Sequence, residues 1–207
     1  VDDATLTYLL PAGLETFSAI YGTNSFITVS GNELNNRIFV AASKVNLKGG
    51  SGNDVLVGIA TDTVGRSTLN GQSGDDAMLP GGQPVAFPGF SGSTGEIVTG
   101  VAGVTQMIGG AGNDTVDYSF FEADLNLSLD NKPNDGRAGD HDDIRADIET
   151  ILGGSGNDTI IGSPFANRLI GNKGNDTIWG GDGNDTINGG AGNDSLFGQG
   201  GKNVVIQ

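Results

Sequence analysis

From Gly153 to Ile206 the chain reads in frame nine residues at a time, and this period constrains its fold more than any other feature. The units are GGSGNDTII, GSPFANRLI, GNKGNDTIW, GGDGNDTIN, GGAGNDSLF and GQGGKNVVI. The sixth position holds Asp158, Asn167, Asp176, Asp185, Asp194 and Asn203. The eighth holds Ile160, Leu169, Ile178, Ile187, Leu196 and Val205, with no polar exception. A fixed period of this kind marks a solenoid, in which each repeat packs only on its neighbours.

The two halves of a unit meet different physical demands. The glycines supply tight turns and positive-φ backbone. The halves Thr-Ile-Trp, Thr-Ile-Asn and Ser-Leu-Phe are short, β-prone and alternating, which turns the central aliphatic inward. Two units make one coil: strand, turn, strand, turn. Successive coils then stack about 4.8 Å apart as parallel strands. The expected fold class is all-β, a right-handed parallel β-roll or β-helix solenoid with long inserted loops.

One aliphatic per strand makes a thin core, which hardly offsets the cost of ordering a chain with 37 glycines in 207 residues. The turns need another source of cohesion. Residues two units apart lie above one another, so Asp158, Asp176 and Asp194 form one column and Asn167, Asp185 and Asn203 the opposite one. Bare carboxylates stacked at about 5 Å repel by roughly 1–3 kcal/mol per pair at surface-like dielectric. A hard divalent cation between them reverses the sign. Calcium takes about 6–8 oxygens in flexible geometry, and glycine-rich turns offer backbone carbonyls to complete the set; magnesium, with its strict octahedron, suits the turns less well.

Composition removes most rival functions. A net charge of −15 repels nucleic acid and anionic membranes and invites cations. Cysteine is absent and His141 is the single histidine, so disulfides, thiolate zinc sites and imidazole metal centres have no material. No apolar run approaches the ~20 residues that span a bilayer, so no membrane insertion is expected. The chain carries no metalloprotease, nucleophile-elbow, Walker or Rossmann signature. Its start, Val1-Asp2-Asp3-Ala4, lacks the basic and apolar regions of a signal peptide, which suggests a mature chain or a segment of something longer.

The nonapeptides resemble the RTX family of secreted bacterial proteins, the hemolysin-type calcium-binding repeats. The resemblance implies several Ca2+ ions, each held between consecutive turns on one edge. The lower turn would give carbonyls at positions two and four plus its sixth-position Asp; the upper would give carbonyls at one and three plus its own Asp. One implied site is Gly154, Gly156 and Asp158 with Gly171, Lys173 and Asp176. The next is Asn172, Gly174 and Asp176 with Gly189, Ala191 and Asp194. On the other edge Gly181, Gly183 and Asp185 would face Gly198, Gly200 and Asn203, and Ser163, Phe165 and Asn167 would face Gly180, Asp182 and Asp185. Asn in the sixth position removes a charge, so these two sites should be weaker.

The remaining chain carries the pattern in patches. Residues 1–48 are expected to form metal-poor β-helical capping coils, with Gly13, Gly22, Gly31 and Gly49 in frame and Ile20, Val29, Ile38, Leu47 and Leu56 turned inward. Asn36 stands two repeat lengths before Asp54, which marks one further candidate site. Residues 49–117 hold interrupted repeats, GGSGNDVLV, GQSGDDAML and GGAGNDTVD, with Asp54, Asp76 and Asp114 as candidate ligands. Their spacings are not multiples of nine, which leaves their pairing open. The insertion at 80–104 reads as a surface loop, packed on its own roll or meeting a neighbour. Residues 118–143 read as a strand (Leu125, Leu127, Leu129) and an acidic loop. That loop either is simply solvated or gathers Asp130, Asn134, Asp135, Asp140, Asp142 and Asp143 around another calcium; Asp140 stands two repeat lengths before Asp158 and is a candidate to close that column. Residues 144–207 form the continuous roll.

The expected function is a non-enzymatic calcium-binding module of a secreted or cell-surface protein, folding on extracellular calcium. Its role would be structural, adhesive or self-assembling, with copies of itself or other cell-surface components as partners. The alternative is an accessory roll of a secreted protease, lipase or polysaccharide-modifying enzyme.

Overall fold

The computed structural model describes residues 4–21, 25–60, 66–80 and 104–207. Its strands stack in parallel as a β-solenoid of about 8 turns, with no helix among the described residues. One long sheet runs from end to end. Its strands, in spatial order, are Thr16–Ile20, Arg37–Ala42, Val55–Ala60, Ala77–Pro80, Thr115–Asp117, Thr150–Leu152, Arg168–Lys173, Thr186–Ala191 and Val204–Ile206. The opposite wall is split in two. Ala4–Leu9, Ser25–Ser30, Lys44–Ser51, Arg66–Ser73, Val104–Ala111 and Asp143–Ile144 make the N-terminal sheet. Leu125–Ser128, Thr159–Ile161, Thr177–Trp179 and Ser195–Phe197 make the C-terminal sheet, and Gly136–Arg137 adds one antiparallel strand at its end.

The insertions leave the register intact. Val55 pairs with Ala77, Ala77 with Thr115, Thr115 with Thr150 and Thr150 with Arg168, so the stacking of the long sheet continues across each of them. The stretch 81–103 and Gly22 lie outside the described residues.

The coils differ in thickness. Before Ala60 the strands turn two aliphatics inward, as in Ile27 and Val29, Ile38 and Val40, and Val45 and Leu47, all fully buried or nearly so. Beyond Gly153 each strand turns in one: Ile160, Leu169, Ile178 or Ile187. The outward neighbours of these residues stack in register, and Trp179 lies on Phe197 with ring centroids 5.6 Å apart and planes 13° from parallel.

The first coil departs from the expected frame. Ile20 is 61% exposed, because Ala4 pairs with Ser25 and Phe17 with Ile38, which places Phe17 at the inward position. The coil is longer than two nonapeptides, so counting back in nines overshoots. Leu125, Leu127 and Leu129 are buried as the alternation required, and so are Ile148 and Ile151.

Residues 118–149 form the seam where one wall ends and the other begins. Asp143–Ile144 closes the N-terminal sheet, and Leu125–Ser128 opens the C-terminal one. Here Asp135, Asp140 and Asp142 of the acidic loop are buried and held by donors of the protein itself, while 131–134 stay exposed. Asp135 accepts the Ser128 N–H (2.6 Å) and Oγ–H (3.0 Å) and, through its other oxygen, the Ile144 N–H (2.8 Å). Asp142 accepts the Thr105 N–H and the Tyr118 hydroxyl, both at 2.9 Å. Asp140 is paired with Arg137 at 2.8 Å, and Asp130 with Lys132 at 2.7 Å. Burial pushes Asp135 and Asp142 up to about 7 despite these donors. The expected closure of the Asp158 column by Asp140 is also corrected: the residue beneath Asp158 is Leu125, whose N–H donates to Asp158 Oδ1 at 3.0 Å.

Candidate metal centre

Every coil presents two edges, one where the chain enters the long sheet and one where it leaves. At the entering edge the sixth-position side chains stack in a single column. Its order is Asn36, Asp54, Asp76, Asp114, Glu149, Asn167, Asp185, Asn203. The column is stitched by a repeated bond, in which a backbone N–H donates to the side-chain oxygen of the next coil; it is interrupted at Glu149, whose N–H donates to the Asp114 carbonyl instead (3.3 Å). Asn36 donates to Asp54 (2.7 Å), Asp54 to Asp76 (2.8 Å) and Asp76 to Asp114 (2.9 Å). Asn167 donates to Asp185 (2.9 Å) and Asp185 to Asn203 (2.8 Å). At the leaving edge Asp158 donates to Asp176 (2.8 Å) and Asp176 to Asp194 (2.9 Å).

That bond engages only Oδ1. The Oδ2 atoms of Asp54, Asp76, Asp114, Asp176 and Asp185 are buried and have no partner, in residues no more than 2% exposed. An ionised oxygen so placed costs several kcal/mol unless a charge compensates it. Burial accordingly pushes Asp54 up to about 6 and Asp114 to about 7, the latter helped by Asp76, Glu149 and Asp147; Asp76, Asp176 and Asp185 are raised by the same cause. These carboxylates require either a proton or a cation.

Backbone oxygens surround the same gaps. The Asn172 carbonyl lies against Gly190 of the next coil, the Gly174 carbonyl against Gly192, and the Gly156 carbonyl against Gly174; a Cβ at any of these upper glycines would fall on the oxygen. From above, the Gly189 carbonyl lies against Gly171 and the Ala191 carbonyl accepts the Gly174 N–H at 3.0 Å. The other edge repeats the arrangement. Ser163 and Phe165 carbonyls meet Gly181 and Gly183, the Gly180 and Gly198 carbonyls meet Gly162 and Gly180, and Gly200 donates to the Gly181 carbonyl at 2.9 Å. Asp182 extends its carboxylate toward Gly200. At the lower turn Gly154 accepts the Lys173 N–H at a long 3.4 Å. First-position glycines are required for another reason, since a Cβ on Gly49, Gly71, Gly109, Gly171, Gly180 or Gly189 would strike the Oδ2 of its own turn's Asp. The donor set is all oxygen, part carboxylate and part carbonyl, and it fits calcium. Among the described residues no three His, Cys, Asp or Glu side chains converge, as expected of sites that draw most of their oxygens from the backbone.

Two features of the column were not read from sequence. Asp54, Asp76 and Asp114 share the edge of Asp185, so the side with fewer charges in the C-terminal repeats is the longer acidic column overall. Glu149 occupies the position above Asp114, and its Oε2 accepts the Asp114 N–H at 2.8 Å. It stands two repeat lengths before Asn167, so the period used elsewhere would have found it.

A parallel solenoid with buried, cation-seeking carboxylates at its turns defines a metal-stitched β-roll. The model of the RTX calcium-binding nonapeptide repeat (4 copies) matches residues 30–58, 99–118, 145–164, 161–196 and 179–206, together more than half of the chain. The chain belongs to this family, and calcium is the ion its repeats bind. Comparison with individual curated proteins gives no match.

Proposed function

We propose that this chain is a non-enzymatic, calcium-folded module that works outside the cell or at its surface, in a structural or adhesive role. The observation that carries the reading is the row of buried, unpartnered Oδ2 atoms at Asp54, Asp76, Asp114, Asp176 and Asp185. Stacked charge without a counter-ion opposes folding, so the metal's binding free energy is folding free energy. Extracellular calcium, far above cytosolic levels, would load the gaps and drive the coils together. An ion so placed would close the gap between one turn and the next.

Far-UV circular dichroism tests the folding claim. Strong β signal should appear on adding calcium to chelated protein, and a full β spectrum in excess chelator would sink the idea. Sedimentation with and without calcium tests the role. A calcium-dependent polymer supports the structural reading, whereas a discrete monomer at all concentrations fits an accessory roll of a larger secreted protein and counts against self-assembly.

A further inference from the structure

The repeat turns are of two kinds. In 49–54, 71–76, 109–114, 171–176, 180–185, 189–194 and 198–203 the second and fourth residues both have positive φ, including the non-glycines Gln72 (79°), Asn172 (75°) and Gln199 (60°). In 31–36, 153–158 and 162–167 neither position does. There the second residue's N–H folds back onto the sixth side chain of its own turn. Asn32 donates to Asn36 Oδ1 at 2.8 Å, Gly154 to Asp158 Oδ2 at 2.7 Å, and Ser163 to Asn167 Oδ1 at 2.7 Å.

This difference bears on the unpaired oxygens of the columns. All the orphaned column oxygens belong to turns of the first, open kind. In the closed turns the equivalent oxygen already accepts an amide hydrogen. Such a bond stabilises the side chain without metal and points the positive end of a peptide dipole at the place a cation would take. The closed turns also share a location. Asn36 begins the entering-edge column, Asp158 begins the leaving-edge column above Leu125, and Asn167 begins the regular repeats above Glu149.

We infer that calcium enters only the gaps on the C-terminal side of open turns, those above Asp54, Asp76, Asp114, Asp176 and Asp185, and that the three closed turns are metal-free caps from which each column starts. Asp158 stands in a full sequence motif, yet it is a cap and not a ligand. The inference rests on the calcium reading and refines it. A closed turn is complete before calcium arrives, so it holds its coil in register and leaves the next gap ready to load.

Native mass spectrometry of the full chain, exchanged into volatile buffer from saturating calcium, counts the bound ions, and calorimetric titration gives their affinities. D158N and N167A should keep the wild-type count and affinities, whereas D185N should lose one ion. Loss of an ion in D158N or N167A, or a full count in D185N, overturns the inference. N167A keeps the test decisive if D158N fails to fold, because the Asn167 backbone N–H to Asp185 survives the substitution. A wild-type chain that binds no calcium at all overturns the underlying calcium reading instead.

Discussion

The coils before Ala60 and those after Gly153 share one cross-section but are held together differently. The earlier strands bury two aliphatics each, and their leaving edge is joined by hydroxyls: Ser25 N–H donates to Ser43 Oγ (3.4 Å) and Val45 N–H to Ser67 Oγ (3.2 Å). Neutral hydroxyls stack without repulsion, so that edge needs no cation. The later coils bury one aliphatic per strand and carry Asp or Asn on both edges. Each inward side chain lost from a strand removes roughly 1.5–3 kcal/mol of burial. The contrast teaches that Asp and Asn come to line both edges where the hydrophobic core thins, and that one coil design can draw on either source of cohesion.

Chelation is the strongest way to break this comparison. A site saturated at about 100 times its dissociation constant contributes roughly 2.7 kcal/mol, and two of the inferred sites, above Asp176 and Asp185, would act on the later coils. Hydrogen exchange in excess chelator should show protection lost first across 159–197, with 25–60 retaining more. Uniform loss along the chain would show that the thicker core confers no independence from metal.

How far the sequence reveals this architecture depends on the local period. Between Gly153 and Ile206 the strict nine-residue frame predicts the strands, register and edges correctly, because no insertion intervenes, although Val205, in register with Ile187, is 47% exposed. Upstream the same arithmetic fails where loop length varies. Phe17, not Ile20, faces inward, and Leu125, not Asp140, lies beneath Asp158. Stacking of Asp54 on Asp76 on Asp114 could not be counted out, since parallel pairing fixes register in space whatever the number of residues between. The closed turn at 153–158 was invisible for a deeper reason. GGSGND at Gly153 and GGAGND at Gly109 differ at one residue, yet only the second has positive φ at its second and fourth positions. The coil beneath decides that, since Gly156 packs on Ala123 and Asp124 of the seam.

A smaller effect sharpens the core side of the comparison. Ile178 is fully buried as the single inward residue of its strand, so Ile178→Ala should cost about 2–5 kcal/mol in saturating calcium. Ile20→Ala, at an exposed position, should shift stability by less than about 0.5 kcal/mol. Denaturant midpoints would report both, and equal losses would mean that the inward assignment of the first coil is wrong.

The seam gives the smallest effect and one that calcium does not mask. Asp135 and Asp142 are raised to about 7 from an unfolded value near 3.8. Raised carboxyls bind protons more tightly in the folded state, so their contribution is fully present below the unfolded value. It is lost as pH rises through about 7, by at most roughly 1.4 kcal/mol per pH unit for each group. The groups facing Asp142 are Tyr118, Asp135 and Asp140, with Arg137 drawn to Asp140; burial and the neighbouring carboxylates push the Tyr118 hydroxyl upward, so it stays protonated and keeps donating. With the columns saturated by calcium, the melting temperature should therefore fall between pH 6 and pH 8. D142N replaces the titrating oxygen with an amide that can still accept the Thr105 N–H, and it should reduce that fall to the share of Asp135. An undiminished pH slope in D142N would show that Asp142 carries no share of the sensitivity, and the Tyr118–Asp142–Thr105 contact would then owe nothing to a buried proton.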